Sequence, residues 1–358
     1  MSKQILMEVR DGQREIALLD GKRLLAFFQD EGGGVEAEQI YFGVVDRIVK
    51  GMEACFVRLG KDQMGFLPFS ECREKPRSGD RLLVQVKKPP IGEKAPYLTA
   101  DIALAGRYAI LTPCSARFAV SQKITEETER TRLKNIAANL APAGCGLVMR
   151  TESADAAEED MAADVNALSA AWNEIQEKQK TAQAPCLLKG REDALARLLR
   201  DEHGKISEIL TNTPEALPPL SLPVRACANP FDLYSVRAKL EKSMQRKVWL
   251  DCGGYLIIDR TEALTVIDVN SGKFTGDKTG TENTFVKLNV EAAQETARIL
   301  RLRNIGGIII IDFVDMQSED SRAAVQKALE EALRDDPVKA VVHGFTTLGL
   351  MEMTRKKN

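Results

Sequence analysis

The sequence predicts a multidomain α/β chain, with a small all-β unit in its first third and a layer of alternating strands and helices at its end. Three observations carry this. At 358 residues the chain has the length of roughly two to four domains. Between 40 and 103, short β-branched and aromatic runs recur between turn signals, the pattern of a small barrel. From 247 onward, apolar strand-like runs alternate with long helical ones, the order of an α/β layer.

Residues 4–29 read as two or three short strands around Asp11-Gly12 and Asp20-Gly21, both hairpin-type dipeptides. Glu31-Gly32-Gly33-Gly34 breaks the pattern as a linker. The all-β unit follows, with strands at Gly43–Val49, Ala54–Leu59, Gly65–Pro68 and Arg81–Val86. Gly106–Leu111 and Gly146–Thr151 are further strands, with a helix at Glu126–Leu140 between them and a long polar helix over 152–180 after them. A helix around Ala194–Arg200, a strand at Glu208–Leu210, a Pro-rich break at 214–223 and a basic helix at Ser235–Arg246 lead into the final layer. There the expected order is a hairpin over Cys252-Gly253-Gly254, a strand ending at Asp268, a loop at Lys273–Gly280 and a helix from Glu282 to Arg303. A strand ending at Asp312, a helix started by Ser318 and a strand at Val338–Val342 complete it.

Two of these strands carry the chemistry. Ala263-Leu264-Thr265-Val266-Ile267-Asp268-Val269-Asn270-Ser271-Gly272 and Gly306-Gly307-Ile308-Ile309-Ile310-Ile311-Asp312-Phe313-Val314-Asp315 are apolar, β-branched runs that end in carboxylates. A carboxylate beside a water-poor strand is costly unless something pairs with it. Side chains alternate along a strand, so Asp268 and Asn270 share one face. Oxygen donors without His or Cys favour magnesium over zinc. The bottom-up expectation is a magnesium site for phosphate chemistry, and the alternative is that these Asp and Asn side chains only cap turns or helices. Arg150-Thr151 at a strand end could hold a phosphate through charge-assisted hydrogen bonds, or be an ordinary surface pair. Phe56 and Phe66 in the barrel are either stacking platforms for bases or barrel core.

Composition bounds the rest. Apolar residues make up 44% and charged residues 28%, as in an ordinary globular protein. No apolar run is long enough to span a bilayer, and Met1-Ser2-Lys3-Gln4 begins no signal peptide, so a cytoplasmic location without membrane partners is expected. The 7 cysteines include no C-x-x-C pair, which favours reduced structural thiols over disulfides or zinc. With only His203 and His343, a histidine-based site is nearly excluded. The net charge of −2 does not point to nucleic acid, but the basic residues cluster: Arg237 to Lys247, Arg298-Arg301-Arg303 and Arg355-Lys356-Lys357. An acidic stretch runs from Glu152 to Asp164. Solvated helix faces account for most such runs.

The strand motifs, together with Asn289-Val290-Glu291-Ala292-Ala293, Leu300–Gly307, Ile311–Met316 and Gly349–Arg355, resemble the catalytic core of the ribonuclease E/G family. Tyr41–Val45, Ala54–Gly60 and Gly65–Pro68 resemble its S1-type OB-fold unit, so the resemblance covers nearly the whole chain. It implies an RNase H-like domain (1–37 and 187–244) interrupted by an S1-type OB barrel (38–103) and a 5′-sensor domain (104–186). A DNase I-like α/β catalytic domain (245–358) follows. It implies a magnesium-dependent endoribonuclease of single-stranded RNA that leaves 5′-phosphate and 3′-hydroxyl ends. Asp268 and Asp312 would hold the metal and Asn270 would orient the site. Gly106, Ile110, Arg150 and Thr151 would sense a 5′ monophosphate. Phe56, Phe66 and Lys94 would contact RNA in the barrel, and Lys339 would do so near the active site. Long family members continue into a paired-cysteine zinc link, and this sequence stops at Asn358 with no such pair. The expectation is therefore no zinc, a possible homodimer not bridged by zinc, and no degradosome scaffold. Two alternatives stand beside it: a non-catalytic RNA-binding regulator, and a haloacid-dehalogenase-like phosphatase using Asp268.

Overall fold

The structure, a computed structural model, describes residues 3–29, 34–90, 92, 94–154, 156–272 and 281–356, with Thr281 and Glu282 described by main chain alone. Glu31, Gly32 and Gly33 of the expected Glu31–Gly34 linker, and the expected loop at Lys273–Gly280, lie outside the described residues. The chain divides into two compact units, one built from 1–31 and 202–358, the other from 32–201.

The first unit opens with an antiparallel meander, β1 (Lys3–Arg10), β2 (Gln13–Asp20) and β3 (Arg23–Gln29). Asp11 and Gly12 both have positive φ, which is what the tight hairpin requires. The second turn is centred on Gly21 and Lys22, since Asp20 still pairs with Arg23.

The second unit holds a barrel and a small sheet-and-helix layer. The barrel strands are β4 (Ile40–Val49), β5 (Ala54–Arg58), β6 (Met64–Pro68), β7 (Arg81–Lys88) and β8 (Tyr97–Thr99). They run β4-β5-β6-β8-β7 and close through β4 with β7. Tyr41, Val45, Val57, Leu67, Val84 and Leu98 fill the interior. The layer combines β9 (Leu104–Ala105), β10 (Ala109–Thr112), β11 (Phe118–Val120), α1 (Glu127–Leu140), β12 (Gly146–Met149) and α2 (Glu158–Thr181). β13 (Cys186–Lys189) pairs with β4, and α3 (Ala194–Asp201) ends the unit.

The chain then returns to the first unit. β14 (Ile206–Thr211) and β15 (Val224–Ala226) extend the opening meander into one sheet, β15-β14-β1-β2-β3. Two helices, α4 (Pro230–Leu233) and α5 (Val236–Met244), follow. The closing layer is a six-stranded sheet of β16 (Lys247–Trp249), β17 (Tyr255–Arg260), β18 (Leu264–Asn270), β19 (Gly307–Asp312), β20 (Ala340–Phe345) and β21 (Met351–Arg355), ordered β16-β17-β18-β19-β21-β20. Two helices, α6 (Thr281–Leu302) and α7 (Glu319–Leu333), cover one face of it. Ser318 caps α7, its hydroxyl accepting from the Ser321 N–H at 3.0 Å. The last expected strand begins later than Val338, because Asp336 accepts the Val338 N–H and turns the chain over Pro337.

The basic runs are only in part solvated faces: Lys242, Arg246 and Lys356 are exposed, but several of the arginines are not. The Arg298 guanidinium is 12% exposed, pairs with Glu295 and donates to the Leu24 carbonyl and the Ser243 hydroxyl. Arg301 pairs with Glu202 at 2.7 Å, and Arg303 donates to the Ser243 and Gln245 carbonyls. Arg237 bridges Glu8 and Glu15. Arg355 is a buried fork on Asp336, the two side chains being 2% and 3% exposed. Cations spaced along α6 and β21 thus clasp neighbouring chain segments, which spacing alone cannot distinguish from a wet helix face. Replacing Asp336 with Ala strands the Arg355 charge and is expected to lower unfolding free energy by about 3–5 kcal/mol. Urea melts of the two proteins test this, and superimposable curves would mean that water reaches the guanidinium.

Candidate active site

β18 and β19 are parallel, joined through α6, and in register from Leu264 opposite Ile308 to Asp268 opposite Asp312. Alternation turns Thr265, Ile267, Val269, Ile309 and Ile311 into the core under α6 and α7, and leaves Asp268 and Asp312 exposed on the other face. Both carboxylates sit at the carboxyl ends of their strands, where open α/β sheets present ligands. Neighbouring strands lie about 4.8 Å apart, so the two side chains rise side by side. The Asn270 side-chain amide donates to Asp268 at 2.8 Å, fixing the carboxylate's orientation. Partial burial pushes the Asp312 carboxyl above its usual range, and the like charges of Asp268 and Asp315 add to this.

The loop after Asp312 is held from below. Asn289, fully buried on α6, donates to the Val314 carbonyl at 2.7 Å and accepts the Val314 N–H at 3.1 Å. Ala292 and Ala293 on the same helix are small enough to let it approach the sheet. Nothing in the helical pattern around Asn289 signals this clasp, because its partner Val314 lies 25 residues away.

The arrangement suits a hard cation. Magnesium is held by one or two carboxylates and keeps several waters. Asp268 and Asp312 supply two carboxylates at strand ends open to solvent. Among the described residues no group of three or more His, Cys, Asp or Glu is gathered for a metal. Lys339 is not brought to this pair. It precedes Ala340, which pairs with Arg355 and through it with Gly307, at the opposite end of β19 from Asp312.

In the second unit the expected RNA-contacting rings lie outside the barrel core. Register places Arg47, Phe56, Phe66, Tyr97 and Lys88 in one row across β4, β5, β6, β8 and β7. Phe56 and Phe66 meet edge-on at 5.7 Å, and Phe66 and Tyr97 lie 6.1 Å apart. Cations flank the row, Arg47 over Phe56 at 4.7 Å and Lys88 over Tyr97 at 5.7 Å. Lys94 is exposed on the segment entering β8. Tyr97, Arg47 and Lys88 escaped sequence reading because their spacing reveals nothing until the barrel closes.

The Arg150 cluster is also assembled. The Arg150 guanidinium donates to the Gly106 carbonyl and to Asp201 at 3.2 Å. Ile110 pairs with Val148, and the Thr151 hydroxyl is 2.9 Å from that of Ser121. Burial alone would raise the Asp201 carboxyl, but Arg200 and Arg150 outweigh it and hold it below the usual range. Asp164 accepts the N–H groups of Arg107, Tyr108 and Ala109. A side chain at Gly106 would collide with that carboxylate, which accounts for the glycine. The acidic stretch is therefore part solvated and part fastening.

The Ribonuclease E/G family profile matches residues 103–358. The chain is 37% identical over 393 aligned residues to Ribonuclease G of Salmonella typhimurium (strain SL1344), covering 100% of this chain and 80% of that protein. Ribonuclease G of Escherichia coli (strain K12) is likewise 37% identical over 393 residues, with the same coverage. Ribonuclease E of Nostoc sp. (strain PCC 7120) is 35% identical over 388 residues, 100% of this chain aligning with 56% of that longer protein.

In divalent-free buffer, Asp312→Asn removes one of two facing like charges and is expected to melt no lower than the parent. Asn289→Ala strips two hydrogen bonds from Val314 and is expected to cost about 1–3 kcal/mol. Parallel thermal melts check both, and a destabilised Asp312→Asn would show that its charge is structurally paired.

Proposed function

The chain belongs to the ribonuclease E/G family, and from that premise we propose that this endoribonuclease uses magnesium to cut single-stranded RNA, leaving 5′-phosphate and 3′-hydroxyl ends. Its setting in this reading is RNA processing or decay in the cytoplasm, such as ribosomal RNA maturation or messenger turnover. The observation that carries the reading is the in-register pairing of Asp268 with Asp312 on the open face of a parallel strand pair. Family membership sets aside the phosphatase alternative.

The residues divide the work. Asp268 and Asp312 would hold the ion, and Asn270 would keep the Asp268 carboxylate turned toward it. When bound, magnesium supplies charge against that developing on the scissile phosphate and activates a water as nucleophile. The Asn289 clasp on Val314 would keep the Asp312 end of the site from drifting. The closed barrel of 38–103 fits an S1-type RNA-binding domain, its aromatic row offering bases a sequence-tolerant stacking surface. The sheet β15-β14-β1-β2-β3, assembled from both sides of the second unit, fits an interrupted RNase H-like domain. The layer from 104 to 186 would be the 5′-end sensor, with Gly106, Ile110, Arg150 and Thr151 lining it, and 245–358 the DNase I-like catalytic domain. Lys339, far along the sheet from the carboxylates, would at most meet a distant stretch of the strand.

Asp268→Asn and Asp312→Asn are each expected to abolish cleavage of a labelled single-stranded RNA while leaving the fold intact. Gel assays with and without magnesium, paired with melting curves, measure this, and turnover at the parent rate in either variant would remove the metal assignment. Arg150→Ala is expected to narrow the preference for 5′-monophosphorylated over 5′-hydroxyl RNA, because a guanidinium fork grips a terminal phosphate but not a bare hydroxyl. Competition between the two RNAs in one reaction reads the preference directly, and an unchanged ratio would take Arg150 out of the sensor.

A further inference from the structure

The open face of the closing sheet does not end at the carboxylates. Antiparallel partners share a face, so the register extends the functional rows across β17 to β16. Asp268 lies opposite Ile257, which lies opposite Lys247. Asn270 lies opposite Tyr255, which lies opposite Trp249. Trp249 is 56% exposed, although it is one of only 2 tryptophans in the chain. Its ring meets Tyr255 edge-on at 5.2 Å. The Lys247 ammonium stands 4.1 Å from the Trp249 ring centre and 3.6 Å from that of Tyr255. The hairpin that carries these rings is fastened at its turn, where the Cys252 N–H donates to Glu291 of α6. Helix α6 also holds the loop beyond Asp312, so rings and carboxylates hang from one support.

An exposed tryptophan, backed by a tyrosine and a captured cation, is costly to leave in water and has no task in the core. Core residues of these strands, Val248 and Leu256, point the other way. Two strand spacings separate Trp249 from Asn270 along their shared row, about 10 Å, which is within reach of one or two nucleotides. The charge is also of the right sign for a phosphate backbone, while the two carboxylates repel one wherever no cation intervenes.

We propose that Trp249, with Tyr255 and Lys247, forms a stacking subsite for a base of the RNA strand immediately flanking the scissile phosphate. The inference rests on the single-stranded RNA reading above. Trp249 supplies the ring face, Tyr255 buttresses it, and Lys247 sets the ring orientation and draws in the neighbouring phosphate. All three act on binding and placement of the strand, and none takes part in bond making or breaking.

The test uses a Trp172→Phe protein, in which Trp249 is the sole tryptophan, and a fluorescein-labelled single-stranded oligoribonucleotide in EDTA, so that nothing is cut. Anisotropy of the label reports binding anywhere on the protein, and tryptophan emission reports the subsite. RNA is expected to quench Trp249 emission with the same midpoint as the anisotropy change. Trp249→Ala is expected to weaken binding roughly 5- to 150-fold, the span measured for loss of one stacked base. Trp249→Phe should retain most of the affinity, and because the ring is largely exposed both variants should melt with the parent. Anisotropy that rises while Trp249 emission stays fixed, or a Trp249→Ala protein that binds like the parent, overturns the subsite and leaves the ribonuclease reading standing. No anisotropy change with any single-stranded RNA, either in EDTA or with an Asp268→Asn, Asp312→Asn protein in which the pair no longer repels a phosphate, overturns both. Emission that shifts with protein concentration and not with RNA shows a second copy covering the ring, and also overturns the proposal.

Discussion

The site depends on one constraint, the parallel register that seats Asp268 beside Asp312. Two carboxylates at that spacing repel each other, which adds to the partial burial that already pushes the Asp312 carboxyl above its ordinary value. The register survives because the other face of the same strands is fully committed. Ile267, Val269, Ile309 and Ile311 are all buried, and aliphatic burial is worth about 1.5–3 kcal/mol per side chain. A slip of one residue would send all of these into water and both carboxylates into the core. The strand interior thus holds the charged ends together, and a cation held there, as proposed, would remove the remaining repulsion.

Helix α6 transmits this constraint to the rest of the first unit. Its apolar face, including Leu288, Ala292, Ile299 and Leu300, packs under the closing sheet. Its C-terminal end reaches the other sheet, where Leu302 joins Leu6, Leu19 and Phe231. The arginines around this second contact, Arg298, Arg301 and Arg303, are tied to carbonyls and carboxylates on three chain segments. A helix so fastened cannot shift without moving Asn289, and Asn289 cannot move without loosening Val314. Stability of the scaffold and geometry of the site are therefore coupled through a few hydrogen bonds.

The closing layer was legible in the sequence because its periodicities are strong. β-Branched runs of period two ending in Asp, a long amphipathic helix and a Ser cap each have a local cause, and the structure places them within a few residues of the reading. The carboxylate pair was legible for the same reason, since alternation alone puts Asp268 and Asn270 on one face. What was not legible arises from closure and register. Tyr97 joins Phe56 and Phe66 only when β8 inserts beside β6, and Asp201 reaches Arg150 from 51 residues away. The basic runs misled for a related reason. Arg298 and Arg303 look like a wet helix face until the segments that accept their protons fold against them.

The two faces of the closing sheet also separate what a substitution can reveal. Ile309 and Ile311 alternate with Ile310 and Asp312 along four successive positions, so neighbouring residues answer different questions. Changes at the buried positions act through packing and lower stability first. Changes at the exposed positions, from Trp249 through Tyr255 and Asn270 to the carboxylates, meet solvent and leave the aliphatic layer untouched. A sheet with one wet face can hold a row of polar and aromatic groups that contribute little to folding, because the opposite face already does that work. This division lets like charges and an exposed tryptophan persist in one surface, and it is why the proposed substrate contacts fall on that surface and not in a cavity.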